Sequence, residues 1–169
     1  MSEVLKALEK FRDEVVSGAR NELAAKGKNS SGKLSNSIQG EVKQMPNSIG
    51  IYFKMEDYGN FQDKGVDGTK VKHGAPYSFK SKMPPPSKLD NWIVRKGIAP
   101  RKSGGQFATR KGLQFIIARG IFQKGIKPSL FFTKPFEKAF KQLPDDLIEK
   151  YGLDMEKDLL TILSENLRR

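Results

Sequence analysis

Between residues 66 and 128 the chain carries 14 Lys and Arg against two acids, Asp67 and Asp90, and Gly and Pro recur through the stretch. The apolar residues, 37% of the chain, cluster in periodic segments that can supply a core. Outside 66–128 the 169-residue chain is nearly neutral: 6 basic and 5 acidic groups in 1–30, 4 and 4 in 31–65, and 7 and 8 in 129–169. All of the formal net charge of +12 therefore lies in the middle third. A field so concentrated implies an anionic partner, whether a phosphate backbone, an acidic protein surface or an anionic membrane. The plainer reading, weighed against it, is a set of merely solvated loops.

The flanks read as α+β. Val4, Leu5, Leu8, Phe11, Val15, Ala19 and Leu23 recur at helical spacing, with Ser2 as N-cap and Gly27 as the stop. Residues 28–36 have the composition of a polar loop. Strands are predicted over 37–45 and 48–54, joined at Pro46-Asn47 as an antiparallel hairpin, so a small sheet near 37–54 packs on the first helix. Residues 55–63 have no clear period. Residues 64–86, with four Pro and five Lys, predict a long irregular excursion of the kind that serves binding. Helices are predicted near 87–96, capped by Ser87 and stopped by Gly97, and near 108–123, burying Leu113, Ile116, Ile117 and Ile121. Between them, residues 98–107 form another basic loop. Leu130-Phe131-Phe132 predicts a short strand, Pro135 to Leu143 a helix, and 144–168 an acidic helix broken at Gly152. The whole predicts one domain, 1–169, with a basic loop-rich insert at 64–107 and a helical extension at 144–168. No second domain or internal repeat is evident.

Several chemistries are set aside on composition. Without Cys there is no disulfide, thiol nucleophile or thiolate zinc site. A single His, His73, excludes a multi-histidine metal centre, and no carboxylate adjoins it in sequence to orient it as a base. Residues 27–33, Gly-Lys-Asn-Ser-Ser-Gly-Lys, match the first seven positions of a phosphate-binding loop, but Leu34 stands where a Mg²⁺-binding hydroxyl belongs. A helix precedes that segment, where such a loop needs a strand. Glu56, Asp57, Asp63 and Asp67 lack the alternate spacing of a calcium loop and read as structural or interface charge. The reading is therefore no enzyme, no cofactor and no metal. No apolar run approaches the ~20 residues of a membrane span, and the charged amphipathic start predicts no signal peptide.

Three segments carry a resemblance. After the first helix comes Ser31-Gly32-Lys33-Leu34-Ser35-Asn36-Ser37-Ile38. After the hairpin comes Tyr58-Gly59-Asn60-Phe61-Gln62-Asp63-Lys64-Gly65. Much later comes Gly125-Ile126-Lys127-Pro128-Ser129-Leu130-Phe131-Phe132-Thr133-Lys134-Pro135-Phe136. Their order resembles the tail-terminator or tail-completion (neck) proteins of tailed bacteriophages. In that family a Thr/Ser-Gly-x-Leu-x-x-Ser-Ile element, a Tyr segment ending in an acid-Gly turn and a Pro-Phe segment occur in this order. Here Lys64 separates Asp63 from Gly65, and the basic insert and acidic extension exceed the short form.

The resemblance implies a structural virion protein in the neck, assembled in the host cytoplasm, with no catalytic activity. It implies a ring of six or twelve copies that meets portal, head-completion or adaptor, or tail-tube proteins and lets genomic DNA pass. Duplex DNA carries about one charge per 1.7 Å, so a collar roughly 40 Å tall surrounds on the order of 24 phosphates. Six copies at +12 each bring on the order of 70 excess positive charges. Most of the cations are therefore expected on neighbouring acidic protein surfaces. The expected contact residues are Lys64, Lys70, Lys72, Lys80, Lys82, Arg101, Lys102, Arg110, Lys111, Phe131 and Phe132. Phe131, Phe132, Phe136 and Phe140 are read as core or subunit contact and not as a base-stacking platform. Two competing readings are a nucleic-acid-binding protein using 66–128 and a metal-dependent nuclease using Glu56, Asp57 and Asp63.

Overall fold

The computed structural model describes residues 2–28, 30–46, 48–99 and 109–166, with side chains described as far as Glu156 in the last helix. The fold is α+β, helices with a small antiparallel two-stranded sheet. The chain divides into two compact units. The first comprises Met1–Leu23, Ser35–Met55 and Phe131–Arg169; the second comprises Ala24–Leu34 and Glu56–Leu130. Among the described residues no helix is long and apolar enough to cross a membrane.

The first unit is built on two long helices and a hairpin. Helix α1 (Glu3–Ala25) buries Ala7, Leu8, Phe11, Val15, Ala19 and Leu23, the face its periodicity announces. Strands β1 (Gln39–Met45) and β2 (Ser48–Lys54) pair antiparallel, with Val42 opposite Ile51 and Gly40 opposite Phe53. The long C-terminal helix, Thr133–Asn166, completes the unit. Leu8, Phe11, Val15, Ala139 and Leu143 form the core, and Val42, Ile51, Phe53, Phe132, Phe136 and Leu147 pack on it. Phe11 meets Phe136 edge to face at 5.7 Å, and Phe53 meets Phe132 likewise at 5.4 Å, the geometry that ring quadrupoles favour.

The two helices run antiparallel. A Cβ on Gly18 would sit 2.8 Å from the Pro135 ring, so α1 and the start of the C-terminal helix approach closely there. At the far end Asp154 accepts from the Glu3 and Val4 N–H groups at 3.0 and 3.1 Å and caps α1 from outside. Arg20 ties α1 to the start of the hairpin by donating to the carbonyls of Ser35 and Ile38 at 3.1 and 2.8 Å.

Several local expectations are corrected. The polar loop at 28–36 contains the start of a short helix, α2 (Lys33–Ser37), which buries Leu34 and Ser35. The helices expected at 135–143 and 144–168 are one: neither Pro144 nor Gly152 stops it. Pro144 removes one backbone donor, but Ala139, Leu143 and Leu147 stay in register on the core across it, and Asp154 is fixed to α1 beyond it. Leu130-Phe131-Phe132 is a turn and not a strand. Leu130 is held at φ 52° while the Ser129 and Leu130 N–H groups donate to the carbonyls of Gln62 and Asp63 at 3.1 and 2.9 Å.

In the second unit, the residues without clear period yield helix α3 (Gly59–Lys64). Strand β3 (Val66–Asp67) comes next, then a 3₁₀ turn (Pro86–Leu89) leading into α4 (Asp90–Arg95). Pro85, not Ser87, stands at the head of that turn, and it makes no side-chain cap. Helix α5 (Arg110–Lys124) is capped by Thr109, whose hydroxyl accepts from the Gly112 N–H. It buries Leu113 and Ala118, whereas Ile116, expected inside, is exposed. Strand β4 (Gly125–Ile126) closes the unit against β3, and the C-terminal helix of the first unit is α6.

Candidate interaction surface

Strands β3 and β4 form a two-residue ribbon, Val66 opposite Ile126 and Asp67 opposite Gly125. Glycine makes this approach possible. A Cβ on Gly68 would lie 2.2 Å from the Gln123 carbonyl oxygen, and Gly65, at φ 79° and ψ 178°, occupies a region closed to other residues. The chain beyond β3 then wraps the end of α5 and serves its orphan carbonyls. Gly125 N–H donates to Ile121 O, Thr69 N–H to Phe122 O at 3.0 Å, and Lys70 and Val71 N–H to Gln123 O at 2.9 and 3.1 Å. His73 Nε2 donates to Lys124 O at 2.8 Å. The irregular excursion expected at 64–86 is thus pinned, over its first ten residues, to the C-terminus of a helix.

Asp67 organises the same loop. Its Oδ1 accepts from the N–H groups of His73 at 2.7 Å and Ala75 at 3.2 Å. A carboxylate therefore does stand beside His73, contrary to the sequence reading, but it holds the backbone and not the ring. These two N–H groups, His73 first, keep the Asp67 carboxyl below its ordinary range, and the Lys72 charge acts in the same direction. A depressed folded value means that the contact contributes stability above the unfolded carboxyl range of about 3.9. It is lost as pH falls through the lower folded value. The expected result is protection of the His73 and Ala75 amides that holds from pH 7 to 5 and collapses in acid, with an Asp67 carbon-shift titration below that of a free carboxyl. Amide protection that survives full protonation of Asp67 would contradict this role.

The wrap places Lys64, Lys70, Lys72, Lys124 and Lys127 on one short ribbon and its flanks, all exposed. Lys72 Nζ turns back to the Gly68 carbonyl at 3.1 Å. Lys80 and Lys82 come after the isolated bridge between Asp67 and Ser78 and are also exposed, as is Lys111 on α5. Arg110 differs from the expectation: its guanidinium grips Asp90 through Nε and Nη2, and Gln114 donates to the same carboxylate at 2.6 Å. This contact joins α4 to α5 and leaves Arg110 engaged within its own unit. The Arg110 hydrogen bonds, and after them that from Gln114, hold Asp90 below the ordinary carboxyl range. Phe131 is wholly buried and so offers nothing to a neighbour, and Phe132 lies half-buried against Phe53 and Phe136. Arg101 and Lys102 lie outside the described residues. Lys88, Arg95, Lys96, Arg119, Lys124 and Lys127, all exposed, add to the expected set; their only signal in the sequence is the charge count of 66–128.

Of the remaining acids of the second unit, two are engaged internally and Asp57 is exposed. Glu56 pairs with Lys33 at 3.1 Å, and Asp63 is buried in α3. Lys33, the lysine of the phosphate-loop-like segment, is thereby committed, and the helix it opens, α2, is only five residues long. Among the described residues no three His, Asp or Glu side chains are placed to hold a metal ion. Glu56, Asp57 and Asp63 are therefore not brought together as a metal site.

Charge and architecture coincide. The second unit contains 18 Lys and Arg against 5 Asp and Glu, a net +13; the first contains 13 against 14, a net −1. Searches of family models, of curated proteins and of solved structures find no match to the chain.

Proposed function

We propose that this chain is a structural subunit of the neck of a tailed bacteriophage, of the tail-terminator or tail-completion kind. It works by joining identical copies into a ring through which DNA passes. In this reading it belongs to the virion neck, meets portal, adaptor or tail-tube proteins, and transforms no substrate. The observation that carries the proposal is the partition of charge by unit. Four of the five acids of the cationic unit are buried or bound to their own unit, so most of its lysines need a counter-charge from elsewhere. Exposed acids of α6 such as Asp145 and Glu156 provide part of it on the next copy and acidic surfaces of adjoining neck proteins the rest, and heterologous contacts between copies close into a ring when the rotation permits.

The three segments that resemble the neck proteins support the reading by where they fall. Ser31-Gly32 leads into α2, Tyr58-Gly59 opens α3, and Pro135-Phe136 opens α6, so each marks a start of structure. The Lys-bearing ribbon favours a second reading, a monomer that tracks the phosphate backbone. Sedimentation of the purified protein at 50 mM and at 1 M salt separates the two. Rings that dissociate as salt rises support the proposal, since exposed charge pairs are screened within a few ångströms at 1 M. Rings indifferent to salt contradict docking by charge. Monomers that retain duplex DNA with a steep salt dependence favour the second reading.

A further inference from the structure

Two helix faces stay open to solvent although they carry large apolar side chains. On α5, Phe115 is 49% exposed and Ile116 is 64% exposed. At about 100° per residue, Lys111, Phe115 and Arg119 fall on one line, four residues apart, on the side away from Leu113, with Ile116 beside it. That face is an apolar strip edged by cations.

On α6, Ala139, Leu143 and Leu147 face the core and Asp154 continues that side. About a third of a turn away runs a second apolar line, Ile148 (74% exposed), Tyr151 (62%) and Met155 (47%). The positions of Leu159 and Ile162 continue its spacing in the sequence. Asp145 and Glu156 edge this line, with Glu149 between them paired to Lys150 at 2.8 Å. Because α1 begins at Glu3 beside Asp154, the helix from Met155 to Asn166, roughly 18 Å at 1.5 Å per residue, extends past the end of α1.

We infer that α6 of one copy lays its acid-edged apolar line on the cation-edged outer face of α5 in a second copy. The inference rests on the ring reading and names its interface. Charge decides the pairing. Two α5 faces, or two α6 lines, brought together would set like charges against each other, whereas α5 against α6 matches both charge and apolar character. The contact is heterologous, so each copy donates one helix and receives another, and the series closes into a ring or grows as a chain.

The absence of cysteine gives a clean background for cross-linking. Full-length Ile116→Cys and Ile148→Cys variants, both at exposed positions, are mixed and oxidised while the unmodified chain is weighed by native mass spectrometry. The expected result is a cross-linked pair of unlike copies, little cross-linking of either variant alone, and a ladder from the chain carrying both changes. Phe115→Cys with Tyr151→Cys probes the same faces should one variant fold poorly. Rings of the unmodified chain without the unlike-copy cross-link would overturn this interface and leave the ring reading standing. A doubly substituted chain that closes only on itself would overturn the assignment to a second copy. An unmodified chain that stays monomeric at every concentration would overturn the ring reading itself.

Discussion

Phe11→Ala is expected to lower the free energy of unfolding by about 3–5 kcal/mol, the range for removing a buried aromatic ring. Phe11 is almost wholly buried and meets Phe53, Phe136 and Phe140 edge on at 6.3, 5.7 and 6.4 Å, so one ring holds the hairpin and α6 to α1. Its loss removes the transfer energy of the ring and leaves a cavity that two helices and a sheet cannot jointly close. Against a typical total of about 5–15 kcal/mol, that is a large share. Phe140→Ala is the control: that ring is half exposed, and its removal costs far less. Urea unfolding followed by far-ultraviolet circular dichroism reads both. A Phe11→Ala midpoint no lower than that of Phe140→Ala would contradict this account of the core.

Gly125→Ala should be the most damaging single-atom change in the second unit. Gly125 ends α5 at φ 77° and ψ −167°, a region open in practice only to glycine. Its added Cβ would lie 2.2 Å from the Val66 carbonyl oxygen and 2.5 Å from the Gly68 nitrogen, both backbone atoms that cannot swing aside. Backbone strain alone costs on the order of 1–3 kcal/mol, and the clash forces β3 from β4. The Thr69, Lys70 and Val71 amides, which serve the carbonyls of α5, would then exchange quickly with solvent. Hydrogen exchange resolved residue by residue is the measurement. Exchange at those three amides unchanged from the parent chain would refute the ribbon's role. Gly74→Ala, whose Cβ meets nothing within 4 Å, separates the clash from positive φ alone, because Gly74 sits at φ 70°.

The range of the forces involved decides which of these features the sequence reveals. The inner face of α1 is legible because six buried residues repeat at one period. The hairpin is legible from alternation and a two-residue turn, although the structure starts β1 at Gln39. The continuity of α6 is not, because Pro144 is a local signal for a break that contacts distant in sequence override. The buried face of α5 is hidden for a related reason. Phe115, Ile116 and Ile117 are adjacent apolar residues, and no periodicity says which of them is inside. The ribbon between β3 and β4 has no signature of its own at two residues a strand. The glycines that permit it read in isolation as loop. Of the cationic surface, the amount is in the composition. Its distribution is not: that Arg110 is held by Asp90, and that Phe131 is inside, are facts of folding.

The proposed role stands on assembly, and native mass spectrometry of the full-length protein at micromolar concentration and low ionic strength, with and without duplex DNA, tests it most directly. The account predicts one closed stoichiometry, six or twelve copies, present without DNA. A species that remains a single copy alone and becomes larger only by loading onto the duplex would contradict it.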